Sequence, residues 1–91
     1  MPQKYPPLSP RDVIEILVAH GFSLEHFVGS HAQYESVREG KSYKVTVKTN
    51  VDEFNDFLIK SMIRQSGLTR EDFYSATKST AKKINTGYKK P

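Results

Sequence analysis

The chain has 91 residues, with 14 Lys and Arg against 10 Asp and Glu, which gives a formal charge of +4. This length fits one domain with a simple core, and the lack of cysteine excludes disulfides, thiolate metal sites and a cysteine nucleophile. No apolar run could cross a membrane and residues 1–7 have no signal-peptide core, so we expect a cytoplasmic protein without membrane contacts. The positive charge favours an anionic partner such as nucleic acid.

The first predicted element is a helix over residues 10–20. Residues 1–8 hold three of the five prolines and are predicted to be an irregular lead-in. Ser9 can cap the helix, Pro10 suits its first position, and Asp12 lies three residues after the cap. Gly21 is placed to end the helix. The apolar residues at helical spacing are Val13, Ile14, Ile16, Leu17 and Val18.

Three β-strands follow, joined by short turns. The first is predicted over 22–28, the second over 31–38 and the third over 42–49. Gly29-Ser30 and Glu39-Gly40-Lys41 form the turns between them. In the third strand Tyr43, Val45 and Val47 alternate with Lys44, Thr46 and Lys48.

The last third of the sequence predicts two more helices. Asn50 and Glu53 form a possible capping box for the second helix, and Gly67 ends it. Thr69 begins a third helix over about 70–80. We expect a basic extension over 76–91 after the domain at 9–75, because five lysines and no acid follow Thr77. The residues predicted to form the buried face of the second helix are Phe54, Phe57, Leu58, Met62 and Ile63.

These elements predict an α+β fold of order α-β-β-β-α. A three-stranded antiparallel sheet would carry both helices on one face, as in double-stranded-RNA-binding (dsRBD-like) domains. Tyr34 is the large apolar group of the second strand, so its side should face the helices. His31 and Gln33 then point to solvent, on the same face as Lys44, Thr46 and Lys48.

An imidazole close to lysines is suited to cleavage of an RNA phosphodiester. A histidine can take the proton of the 2′-hydroxyl or protonate the leaving oxygen, and lysines can stabilise the negative charge of the transition state. No familiar metal-ligand spacing is present, so we expect neither a metal nor a small-molecule cofactor. By itself, however, a histidine at a hairpin is more often an ordinary solvated residue.

The hexapeptide Gly29-Ser30-His31-Ala32-Gln33-Tyr34 resembles the Gly-Ser-His-x-x-(Phe/Tyr) signature of the HicA, or YcfA-like, toxin family. Two further segments resemble the family's opening helix and second helix. They are Asp12-Val13-Ile14, followed by Gly21-Phe22, and the run from Ile59 to Leu68. The resemblance covers residues 9 to 74, with the three motifs in the family's order.

Resemblance to this family implies a small toxin with a dsRBD-like fold that cleaves mRNA, with His31 as its catalytic residue. It also implies a HicB-like antitoxin that binds and blocks the toxin. Lys60 and Arg64 are four residues apart and share a helix face that could also reach RNA. The residues that we expect to contact RNA are Ser30, Gln33, Lys44, Lys48, Lys60 and Arg64.

The segment after the third strand differs from the family's usual pattern. It carries Asp52, Glu53 and Asp56, where members commonly have a proline and a second basic residue. Two alternative functions to that of a nuclease therefore remain. They are a non-catalytic RNA-binding module, and a protein-interaction domain that pairs with an antitoxin-like partner.

Overall fold

The computed structural model of the protein describes residues 5–84, so Lys89 and Lys90 of the basic extension lie outside the described residues. The order of elements confirms the predicted α-β-β-β-α arrangement and its open antiparallel sheet. The elements are α1 (Pro10–Ala19), β1 (Ser23–Val28), β2 (His31–Arg38), β3 (Lys41–Lys48), α2 (Asp56–Ser66), α3 (Arg70–Tyr74) and α4 (Lys78–Lys83).

The sheet is a meander in the order β1-β2-β3, so β2 is central and β3 forms one edge. Both turns have two residues, which confirms the prediction for Gly29-Ser30, but Lys41 was predicted to lie in the second turn and instead begins β3. Glu39 and Gly40 both have positive φ, at 51° and 76°, which is the pattern of a type I′ hairpin. This turn places the two long strands in continuous register from His31↔Lys48 to Arg38↔Lys41.

One face of the sheet is covered and the other is open. Both α1 and α2 pack on β3. Val45 and Val47 are fully buried beneath them, and Ala32, Tyr34 and Ser36 are buried in β2, which confirms the side predicted to face the helices. Within residues 5–84, no helix combines the length and the apolar character that crossing a membrane requires.

The predicted start of α1 is confirmed in detail. Ser9 Oγ accepts a hydrogen bond from the Asp12 backbone N–H at 3.1 Å, and the Asp12 carboxylate accepts one from the Ser9 N–H at 3.2 Å. This reciprocal pair satisfies two backbone donors that the first turn would leave unpaired. At the other end His20 caps the helix, and its Nε2 lies 2.9 Å from the Asp72 carbonyl oxygen.

The predicted start of α2 is wrong. The N-cap is Asn55, not Asn50, and its side-chain oxygen accepts from the Leu58 N–H at 2.9 Å. Phe54 is buried as expected, but it precedes the helix and pairs with Leu8, to whose carbonyl its N–H donates at 2.8 Å. This pairing holds Phe54 in a β-bridge, so the helix begins only after it.

The late start of α2 also changes which side chains are buried. Phe57 and Leu58, predicted to lie in the core, are 74% and 40% exposed. The buried stripe instead follows the spacing i, i+3, i+4, i+7 expected for one helix face. Its members are Ile59, Met62, Ile63 and Ser66.

The C-terminal end of α2 is fixed against the sheet. Gly67 ends the helix at φ +73°, as its position predicted, and a Cβ there would collide with the ring of Tyr43. The guanidinium of Arg38 donates to the Ser66 carbonyl and lies 4.3 Å from the Tyr43 ring centroid. Both contacts hold α2 in a defined position along β3.

The single helix predicted over 70–80 is wrong, because the chain forms α3 and α4 with a break between them. Thr77 causes the break, since its side chain accepts from the Thr80 N–H at 3.2 Å and so caps a new helix. The buried Thr80 hydroxyl then donates to the Tyr74 carbonyl at 2.6 Å, which joins the two helices. The domain boundaries at residues 8 and 75 stay predictions.

Candidate nucleic-acid interface

The open face of the sheet carries two parallel rows of polar side chains. His31, Gln33 and Glu35 project from β2, and each lies directly opposite a residue of β3. The three pairs are His31↔Lys48, Gln33↔Thr46 and Glu35↔Lys44. All of these side chains are exposed except Glu35, which is half-buried. Strand alternation therefore predicted the members of this face correctly.

His31 is the first residue of β2 and follows a turn that is fixed at both ends. Gly29 has φ +58°, a conformation that favours glycine. The Ser30 carbonyl accepts from the backbone N–H of Thr49 at 2.7 Å and from its hydroxyl at 3.0 Å. The imidazole is thus carried on backbone that is tied to the end of β3, between Val28 on one side and Lys48 on the other.

The two lysines that β3 contributes to the open face, Lys44 and Lys48, have different surroundings. Lys48 lies opposite His31, whereas Lys44 lies opposite the carboxylate of Glu35. The Ser42 hydroxyl donates to Glu35 at 2.6 Å and lowers the pKa of Glu35 from its usual value of 4.5, and the charge of Lys44 lowers it further. Glu35 therefore offsets the charge of Lys44. Glu35 also lies four residues from His31, about 13 Å along the strand.

Lys60 and Arg64, which we expected to contact RNA, lie away from the sheet face. The Lys60 ammonium is 5.8 Å from the Tyr5 ring centroid, near the lead-in segment. At about 100° per residue, Lys60 falls on the far side of α2 from Leu58, and Arg64 points outward one turn later. The carboxylate of Asp56 also faces the lead-in, where it accepts from the Tyr5 N–H at 3.2 Å.

Sequence reasoning missed a groove between α2 and the free edge of β3. Its volume is about 150 Å³. The Thr46 N–H donates across it to the side-chain oxygen of Gln65 at 3.4 Å. Leu58, Ser61 and Gln65 recur at helical spacing on one side of α2, but the sequence alone does not show that β3 lies beside them. Its lining residues are Thr46, Lys48, Phe54, Leu58, Ser61, Met62 and Gln65.

The chemistry available at this face is that of an imidazole, an ammonium group, hydroxyls and an amide. These groups can bind a phosphodiester and transfer protons. In the part of the chain that the structure describes, no three His, Asp or Glu side chains converge as metal ligands would.

Comparison with known proteins places the chain in a family. No curated protein matches the sequence. A family model described as "HicA toxin of bacterial toxin-antitoxin" matches residues 10–68, which is more than half of the chain and includes His31. The match runs from the start of α1 through the end of α2, and it implies an antitoxin as a partner. The chain therefore belongs to the HicA toxin family of bacterial toxin–antitoxin systems.

Proposed function

We propose that this protein is an endoribonuclease that cleaves mRNA by acid/base chemistry at His31, without a metal. The observation that carries the proposal is the exposed pair of His31 and Lys48 at the corner of an open sheet, in a chain of a toxin family. Because mRNA is the proposed substrate, we expect the toxin to act in the cytoplasm.

The reaction needs two proton transfers and one charged transition state. His31 accepts the proton of the ribose 2′-hydroxyl, and the 2′-oxygen then forms a bond to phosphorus. The bond from phosphorus to the 5′-oxygen breaks, and that oxygen takes a proton from water or a neighbouring cation. The products are a 2′,3′-cyclic phosphate and a 5′-hydroxyl. The ammonium of Lys48 lies across the strand pair, where it can stabilise the charge on the phosphorane oxygens.

RNA contacts are proposed along the open face, from Ser30 and Lys48 past Gln33 to Lys44. The turn residue and the two rows of side chains form one continuous surface. Lys60 and Arg64 would take part only if the RNA strand continued around α2, since their side chains face away from the groove. We therefore expect their substitution to change RNA affinity less than substitution of Lys48.

We further propose that a HicB-like antitoxin covers this face and excludes RNA from His31. Apolar side chains lie exposed on and beside it, with Val28 and Val37 58% and 67% exposed. Val28 is the direct cross-strand neighbour of His31. A partner that buries Val28 would therefore also cover the imidazole.

The decisive test is the His31→Ala variant. RNA cleavage should fall about 100- to 10,000-fold because the acid/base group is removed, while the thermal unfolding curve stays unchanged. Arg11→Ala removes an exposed cation from α1, on the covered side of the sheet, and should retain cleavage. Cleavage by the wild type should persist in excess chelator and should yield cyclic phosphate ends, measured on a defined RNA.

The other outcomes of this test identify the alternative functions. If His31→Ala cleaves RNA as the wild type does, the proposed mechanism is wrong. RNA binding without cleavage by the wild type would identify a non-catalytic binding module. A wild type that neither binds nor cleaves RNA, yet forms a stable complex with its antitoxin, would identify a protein-interaction domain.

A further inference from the structure

The groove between α2 and β3 continues directly from the proposed phosphate site. Lys48 belongs to both, because it lies opposite His31 in the sheet and also lines the groove. Cross-strand neighbours are about 5 Å apart at Cβ, so the groove begins within one nucleotide of a phosphate held by His31. The nucleotide next to that phosphate can therefore reach the groove while the RNA lies on the sheet.

The size of the groove suits a single ring. A cavity of about 150 Å³, the volume found here, holds one benzene-sized aromatic ring. Such a space is too small for a base pair or a helix, but a splayed base of single-stranded RNA fits it. This matches the way proteins commonly recognise RNA, by removing bases from the stack and binding them individually.

The lining offers an apolar surface together with a polar edge. Phe54, Leu58 and Met62 form an apolar wall against which the face of a base can pack. The Gln65 side-chain oxygen is occupied by the Thr46 N–H, so its amide NH₂ group is directed away from that contact and can donate to base oxygens or ring nitrogens. The hydroxyl of Ser61 can donate or accept.

We propose that this groove is a nucleobase subsite, which binds one unstacked base of pyrimidine size adjacent to the scissile phosphate. The inference rests on the proposed nuclease function. It adds a recognition element that orients the RNA strand on the sheet, with Leu58 packing on the base and Gln65 contacting its edge. Lys48 bridges the base subsite and the phosphate.

The test is a coupling experiment between the groove and the base. Short single-stranded RNAs are made in which one nucleotide at a time around the cleavage site lacks its base. For the wild type, removing the base at one position flanking the cut should lower kcat/KM at least about fivefold. Leu58→Ala and Gln65→Ala should lower kcat/KM for the intact RNA, and the same abasic position should then cause little further loss.

The matched control is Phe57→Ala, which removes a larger and more exposed side chain from the neighbouring position of α2. It should keep the full sensitivity to the abasic position. If the abasic loss is the same factor in the wild type, Leu58→Ala and Phe57→Ala, no base binds in the groove and the inference is overturned, although the nuclease proposal stands.

A second measurement does not depend on cleavage. The His31→Ala protein is titrated with the intact RNA and with its abasic counterpart, and the methyl NMR signals of Leu58 and Met62 are followed. Intact RNA should shift both signals and abasic RNA should not. Shifts on adding the antitoxin, with none on adding RNA, would show that a protein side chain occupies the groove and would overturn the inference.

Discussion

At the scale of single residues, Glu35 shows how a neighbour sets the charge of the open face. The Ser42 hydroxyl is the main cause of its lowered pKa, because a hydrogen bond to the carboxylate favours the ionised form. We expect Ser42→Ala to raise the pKa of Glu35 toward 4.5, measured from its carboxyl carbon signal against pH. Ser23→Ala removes a hydroxyl from the residue across from Glu35 in β1 and should leave that pKa unchanged.

The same hydrogen bond gives the stability of the protein a pH dependence of known sign. The pKa of Glu35 is lower in the folded state than in the unfolded state. Glu35 therefore stabilises the fold at pH values above its unfolded-state pKa, and this stabilisation disappears as the pH falls through its folded-state pKa. The difference in unfolding free energy between Ser42→Ala and the wild type should therefore shrink in acid. A difference that stays constant down to the lowest pH would contradict this cause.

At the scale of elements, the N-terminus of α2 decides where the groove lies. Asn55 caps the helix, so Asn55→Ala should lower the unfolding free energy by about 1 kcal/mol, measured by urea denaturation. Asn50→Ala is the matched control. It alters the residue that the sequence pattern favoured, and it should cost much less. Equal losses for both variants would show that the helix begins earlier than in this structure.

At the scale of the whole molecule, the lead-in segment packs against distant parts of the chain and so completes the core. Leu8 is fully buried and pairs with Phe54, and the Tyr74 hydroxyl donates to the Pro6 carbonyl at 2.7 Å. We expect Leu8→Ala to lower the unfolding free energy by about 2–5 kcal/mol, because it leaves a cavity in the core. Phe57→Ala, at an exposed site, should change it little. A small loss for Leu8→Ala would indicate that the lead-in is not part of the cooperative fold.

The sequence by itself determined the features whose physical causes are local. Strand alternation assigned His31, Gln33 and Lys48 to the solvent face, because successive side chains of a strand point to opposite sides. Ser9 and Gly67 marked the ends of helices through their own side-chain and backbone preferences. The resemblance to a toxin family was equally a property of short motifs, and the family match confirms it.

Only the tertiary structure decided the features that depend on residues far apart in the chain. Phe54 pairs with Leu8, and this contact holds Phe54 in a β-bridge, so that α2 begins only after it. No pattern around Asn50 contains that information. The same delay exposes Leu58 and places it beside β3, which creates the groove. Local preferences thus determined the order of the strands and the face of each side chain, whereas packing between distant segments decided where α2 began and what shape lay beside His31.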